Sequence, residues 1–199
     1  MSTVSCKCGI CSIKLNDDDA KLSIYCACID CRSALEWCEK HGGEKPSEIP
    51  KLIYLRSDLD SVHGSEYMRA FQLRADAKST RIYCEKCFSI LGVDHPAYSD
   101  NVFMCFVGHC KLDLSNDIMP SAAIYLNDLS CKKVFKFSSD LPVFYSFEYE
   151  QELQRFRQLA DVNSAFNPPL ARPKGIFFKD LICRLGDIDV LNLVQKNLN

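Results

Sequence analysis

Tyr25-Cys26-Ala27-Cys28-Ile29-Asp30-Cys31-Arg32 carries three cysteines in a C-x-C-x-x-C spacing. Thiols this close can aim at one metal ion from a single tight turn, but three ligands do not close a tetrahedron. Two further clusters flank the triple. Upstream lies Cys6-Lys7-Cys8, a C-x-C pair, and downstream lies Cys84-Glu85-Lys86-Cys87, a C-x-x-C pair. Neither pair completes a site alone; together Cys6, Cys8, Cys84 and Cys87 make one closed four-thiolate site, which pins the intervening chain as a loop. Cys26, Cys28 and Cys31 then form a three-thiolate site with its fourth position open. A closed zinc site is structural, whereas an open one can take substrate or activate water.

Thirteen cysteines in 199 residues is a high count, and an odd one, so complete internal pairing into disulfides is excluded. The other six are Cys11, Cys38, Cys105, Cys110, Cys131 and Cys183, and none has ligand spacing with a second cluster. Cys11 is the obvious eighth thiolate, because Cys6-x-Cys8-x-x-Cys11 repeats the spacing of the triple. It is also in phase with Ile13 and Leu15 on an apolar face, and a free cysteine behaves there as a small hydrophobe. The packing reading is preferred for Cys11, and equally for Cys105 and Cys131. Closure of both sites by an eighth thiolate or a histidine stays open, as does an iron–sulfur cluster on four thiolates. His41, His63, His95 and His109 sit in loop-like contexts that favour solvation.

Composition sets the frame for this chemistry. Twenty-four Lys and Arg against 26 Asp and Glu give a net charge of −2, and hydrophobic residues make up 47%. That is a globular composition without the basic footprint of a nucleic-acid or acidic-membrane binder. No apolar run reaches the roughly 20 residues that span a bilayer, and the MSTVSCKCG start has no apolar signal core. The expected location is the cytoplasm, where cysteine clusters serve metal or redox chemistry rather than disulfides.

Short strand-like segments run between the clusters. Cys11–Leu15 alternates apolar and polar, and Leu22–Tyr25, Lys51–Arg56, Tyr67–Leu73, Arg81–Tyr83, Val102–Val107 and Ala122–Leu126 are rich in apolar residues and bounded by turn formers. The pattern predicts a mainly β fold of short antiparallel strands. After about residue 148 the character changes. Tyr149–Val162 places Leu153, Phe156 and Leu159 or Ala160 at helical spacing, Asn167–Pro173 reads as an extended linker, and the stretch after Gly175 is apolar. Residues 1–148 are therefore expected as the zinc-binding domain, and 149–199 as a partly helical extension packed on it or on a partner subunit.

With these residues in hand, the chain resembles the glutathione-dependent formaldehyde-activating enzyme family, which includes centromere protein V. The resemblance lies in Cys6-x-Cys8-Gly9, Cys26-x-Cys28-x-x-Cys31-Arg32 and Arg81-Ile-Tyr-Cys84-x-x-Cys87-x-Ser89. Downstream landmarks are Gly108, Met119–Tyr125 and Asp140-Leu-Pro142, and the likeness covers roughly residues 4–145. It implies a zinc-containing β-rich fold and carbon–sulfur lyase chemistry on a small thiol adduct. It also implies two zinc ions per chain, a structural one on Cys6, Cys8, Cys84 and Cys87 and a catalytic one on Cys26, Cys28 and Cys31. Two positions depart from the family pattern: Ala27 stands where histidine is frequent, and Phe88 replaces the glycine after the last cysteine.

Asp30, Glu36, His41, Asp94 and His95 are the candidate bases by nearness in sequence to a cluster, though an ordinary surface role suits each of them better. Arg32, next to the triple, suits bidentate pairing with a substrate carboxylate and, equally, an ordinary surface ion pair. The expected partner is a small thiol-containing substrate, with neither nucleic acid nor membrane, and the apolar tail allows a homodimer. The competing function is a non-catalytic zinc module that binds a protein, which a fourth protein ligand at the triple would favour.

Overall fold

A computed structural model describes residues 2–115, 118–129, 135, 137–160 and 165–193. Cys131 and Val194, both expected to pack, lie outside the described residues. The fold is mainly β, as the strand pattern predicts. Four strands, β1 (Thr3–Ser5), β2 (Ser12–Leu15), β5 (Leu59–His63) and β10 (Lys111–Asp113), form an antiparallel sheet in the order β10-β1-β2-β5. A larger sheet has the order β11-β3-β4-β9-β8-β7-β6-β12. Its strands are β3 (Leu22–Cys26), β4 (Lys51–Arg56), β6 (Met68–Gln72), β7 (Thr80–Cys84), β8 (Ile90–Asp94), β9 (Val102–Phe106), β11 (Ala123–Ile124) and β12 (Ile188–Val190). The interior pairings are antiparallel, whereas both edges are parallel, β11 on β3 and β12 on β6.

Away from its exposed β12 edge the large sheet is buried on both faces, and successive residues of one strand enter different cores. In β4, Leu52 and Tyr54 face one core while Ile53 and Leu55 face the other; in β9, Val102, Met104 and Phe106 oppose Phe103 and Cys105. Strands sandwiched in this way read as continuous apolar runs rather than as alternation. The first core is roofed by helix α1 (Ile29–Lys40), through Ala34, Leu35 and Cys38. The second is closed by the small sheet, through Val4, Ile13 and Leu15, and by helix α3 (Phe178–Leu185), through Phe178, Leu181 and Ile182. Helix α1 is absent from the sequence expectation, which treats Cys26–Cys31 as a loop. Leu35 and Cys38 supply the i, i+3 apolar pair that marks it.

Helix α2 (Glu150–Leu159) matches the predicted tail helix, with Phe156 packed on Phe144 and Phe147 at centroid distances of 5.5 and 5.0 Å. Of the two residues offered for its last apolar position, Ala160 is buried and Leu159 is exposed. The later tail is fastened by backbone. Leu59 and Ile176 exchange amide–carbonyl hydrogen bonds of 2.8 and 3.0 Å, and a Cβ at Gly175 would lie 1.8 Å from the Leu59 carbonyl oxygen. Only glycine permits that approach. Cys11 and Cys105 are fully buried, as expected of packing residues. His109 departs from its expected solvation: it is 3% exposed, and neither ring nitrogen has a hydrogen-bond partner.

Candidate metal centres

Two turns from different sheets build the first cluster. The chain leaves β1 at Cys6 and returns into β2, with the Cys6 amide donating to the Cys11 carbonyl at 2.9 Å and Gly9, at φ +83°, turning the backbone. Facing it, the β7–β8 turn is closed by the Phe88 amide donating to the Cys84 carbonyl at 2.8 Å. The Lys7 amide donates to the Ser89 hydroxyl at 3.0 Å and ties the two turns together. The ligand atoms of Cys6, Cys8, Cys84 and Cys87 all lie within 4.8 Å of one another, so the four could hold a metal ion. Sulfurs at about 2.3 Å from a tetrahedral zinc are about 3.8 Å apart. The Cys8–Cys84 separation is 3.8 Å, and Cys6–Cys8 is 3.3 Å.

The four thiols are unequal: burial pushes Cys8 and Cys84 up to about 12. Burial opposes ionisation of Cys87, yet hydrogen bonds from the Ser89 hydroxyl and from the Cys8 and Ser89 amides outweigh it and bring the thiol to about 6. Cys11 adjoins this cluster without joining it. Its thiol donates to the Gly64 carbonyl at 3.4 Å, burial pushes it up to about 12, and its amide donates to the Cys6 sulfur at 3.1 Å. Phe88, which stands where the resembled family has glycine, adopts φ +51°. That is the left-handed region glycine tolerates best. Its ring is held by Trp37, Tyr83 and His41 at centroid distances of 5.7, 5.6 and 5.2 Å.

The second cluster sits where β3 runs into α1. Cys26 ends the strand, Cys28 is the helix N-cap, and Cys31 lies in the first turn, its amide donating to the Cys28 sulfur at 3.3 Å. A helix start favours negative charge through its unpaired amides and dipole. The three sulfurs lie within 4.8 Å of one another and could hold a metal ion. Among the described residues no fourth His, Cys, Asp or Glu ligand atom joins them within that reach. Hydrogen bonds from the Cys26 and Cys28 thiols hold Cys31 well below the ordinary thiol range. Each charge placed there makes the next thiol harder to ionise.

Groups from distant elements surround this cluster. Tyr54 on β4, Tyr98 in the turn after β8 and Tyr125 after β11 all interact with the cluster charges, and burial raises each phenol. Asp128 reaches over the helix start, its Oδ2 accepting from the Ile29 amide at 3.0 Å; burial raises its carboxyl. The Arg32 guanidinium donates to the Asp128 carbonyl, 2.6 Å away. Tyr125 in turn packs on Phe147, 4.9 Å between centroids, which joins the site wall to the α2 aromatic cluster.

The bases proposed from sequence fare unequally. Asp30 is held by Arg74 at 2.7 and 3.2 Å. Glu36 is exposed, and His41 caps the far end of α1, with Nδ1 2.7 Å from the Trp37 carbonyl. Asp94 ends β8, where burial first and the Asp100 charge second raise its carboxyl. His95 does approach the triple, interacting with the Cys28 charge, and burial lowers its pKa. Its Nδ1 accepts from the Ala97 amide at 3.1 Å, so the neutral ring carries its proton on Nε2 and offers a donor rather than a base. Asp128 and the three tyrosines are missed by the sequence reading because nothing local marks them; they meet the triple only through strand order.

Two cavities, of about 510 and 500 Å3, open beside β5 and α3 and beside Met119–Pro142, and no cluster cysteine lines either. Comparison of the chain with protein-family profiles, with characterised proteins and with solved structures returns no match. Among the described residues no helix is long and apolar enough to cross a membrane.

Proposed function

We propose that this chain is a cytoplasmic, zinc-dependent carbon–sulfur lyase of the glutathione-dependent formaldehyde-activating type. The observation that carries the reading is the unequal ligand count: four thiols converge at one cluster, and three, without a fourth described ligand, at the other. Softness argues for zinc at both, since thiolates prefer it to hard cations. The four-thiol cluster joins two sheets and serves the fold. The three-thiol cluster has no fourth described ligand, and Tyr54, Tyr98, Tyr125 and Asp128 all interact with its charges.

The substrate class that suits such a site is a thiol adduct of an aldehyde, with sulfur and hydroxyl on one carbon. Cys26, Cys28 and Cys31 would hold a metal ion, which would supply Lewis acidity toward a sulfur leaving group. Asp128 takes the adduct's hydroxyl proton on Oδ1, the oxygen not held by the Ile29 amide. The electron pair left on oxygen forms the carbonyl, the carbon–sulfur bond breaks, and sulfur leaves as thiolate. The reverse sequence joins thiol to aldehyde. Tyr98 and Tyr125 present hydroxyls to the adduct and narrow the access of water, and Arg32 is placed to grip a carboxylate on the thiol carrier.

The test is a screen of aldehyde adducts of small thiols, glutathione included, against zinc-loaded protein. Turnover that disappears in Asp128→Asn, with both zinc equivalents retained, is the expected result. Two retained zinc ions with no turnover on any adduct, and a partner protein binding at the triple, would replace the lyase by the non-catalytic zinc module.

A further inference from the structure

Arg81 is the least expected charge in the molecule. It sits mid-strand in β7, is 1% exposed, and is the bulkiest of the fully buried side chains. A buried guanidinium is costly unless an opposite charge offsets it. Among the described residues no carboxylate forms an ion pair with it. Its Nη1 donates to the Ser79 carbonyl at 3.2 Å and its Nη2 to the Asp30 carbonyl at 3.4 Å, while Nε has no partner. Its carbon centre lies 5.9 Å from the centroid of the Phe71 ring. The carboxylate of Asp30, the residue whose carbonyl Arg81 reaches, is paired with Arg74. Carbonyls and a ring solvate the cation in part but leave its charge standing.

The Asp30 carbonyl belongs to the first turn of α1, between Cys28 and Cys31. The guanidinium is thus docked on the backbone that carries two of the three thiols. We infer that Arg81 is the buried counter-charge of the Cys26, Cys28 and Cys31 cluster, held in place for an ionised thiolate set and strengthening its grip on a metal ion. Three thiolates around a divalent cation carry a net charge of −1, which one buried guanidinium offsets. The inference rests on the triple being a metal site and is independent of lyase chemistry. Arg81 is a positioning residue here, acting through the thiolates and touching no substrate.

The test compares full-length wild type, Arg81→Met and Arg81→Lys after zinc(II) loading, with chelator competition resolving each equivalent. Groups just outside a ligand set typically change metal affinity by roughly 10–100-fold. Arg81→Met is expected to weaken the equivalent assigned to the triple by that factor and to leave the four-thiol equivalent unchanged. Arg81→Lys, which keeps charge but loses the fork, should fall between. The same change is then made in a Cys26→Ser/Cys28→Ser/Cys31→Ser background. With the thiolates gone and the guanidinium left uncompensated, Arg81→Met should raise the melting temperature there while lowering it in zinc-loaded wild type. A fall in both backgrounds, or unchanged affinity at the triple, would overturn the inference and leave Arg81 a packing residue. A single zinc equivalent in wild type, unaffected by the triple-serine change, would remove the metal reading and the inference together.

Discussion

The sulfurs of Cys8 and Cys84 lie 3.8 Å apart although the residues are 76 positions apart in the chain. One belongs to the turn of the small sheet and the other to the end of a strand in the large one, so a metal held between them clamps the two layers. Structural zinc contributes on the order of 10 kcal/mol to small domains. Cys84→Ser is expected to forfeit a substantial part of that; a loss of only a third lowers the melting temperature of a chain this long by roughly 6–12 °C. Cys28→Ser should remove one zinc equivalent and any turnover while leaving the melting temperature within a few degrees. Metal analysis and calorimetry on the two variants check the contrast.

Phe88 stores backbone strain and recovers it through its ring. Relief of a left-handed backbone is worth about 1–2 kcal/mol, and burying a phenylalanine side chain about 1.5–3 kcal/mol. Phe88→Gly removes both and should destabilise by about 1 kcal/mol. Phe88→Ala keeps the strain and loses the ring, so it should cost about 1–2 kcal/mol more than glycine does. Urea titration giving alanine as the milder change would contradict the strained conformation.

His109 supplies an acid sensitivity unrelated to the thiols. Burial lowers its pKa from 6.5 to about 4, so the folded protein keeps the ring neutral where the unfolded chain protonates it. Its contribution to stability is fully present above pH 6.5 and is lost as pH falls through about 4. His109→Leu should flatten the decline of unfolding free energy across that window. Denaturation at pH 7, 5.5 and 4.5 measures the difference in slope, and identical slopes would count against the shifted pKa.

Phe178 meets Phe103 edge to face at 4.7 Å and fills the space over Gly92, where an added Cβ would lie 2.6 Å from its ring. Phe178→Ala is expected to cost about 3–5 kcal/mol. Truncation after Tyr149 removes α2, α3 and β12 together and should yield insoluble protein. A soluble truncated monomer with an unchanged melting temperature would show the tail to be dispensable.

Much of this arrangement is legible in the residues. The 2 + 3 + 2 cysteine spacing anticipates both clusters, because ligand pairs are made by single turns and leave a local mark. The strands at Lys51–Arg56 and Val102–Phe106 are equally plain from their apolar runs. Helix α1 escapes because its opening residues are the cysteines themselves, whose spacing reads as a metal loop and masks the helical period continuing through Leu35 and Cys38. Asp128, Tyr54 and Tyr98 reach the triple through tertiary contact alone. Arg81 lies in plain view beside Cys84, but a lone arginine in a strand carries no sign that it turns inward.

The pairing of β12 on β6 sets an order on biosynthesis. Val190 lies opposite Gln72. At roughly 5–20 residues per second, β6 leaves the ribosome on the order of ten seconds before its neighbour exists. During that interval the edge of β6 stands open, and open edges recruit other chains. Cys84 and Cys87 follow Gln72 by only 12 and 15 residues, so all four ligands are made early in the same interval. A nascent chain that captures its metal then already has both sheets clamped while the tail is still being translated. On the proposed metal site, a chain short of metal would wait with both sheets loose and an edge exposed, and metal supply during translation would set how much of the protein escapes aggregation.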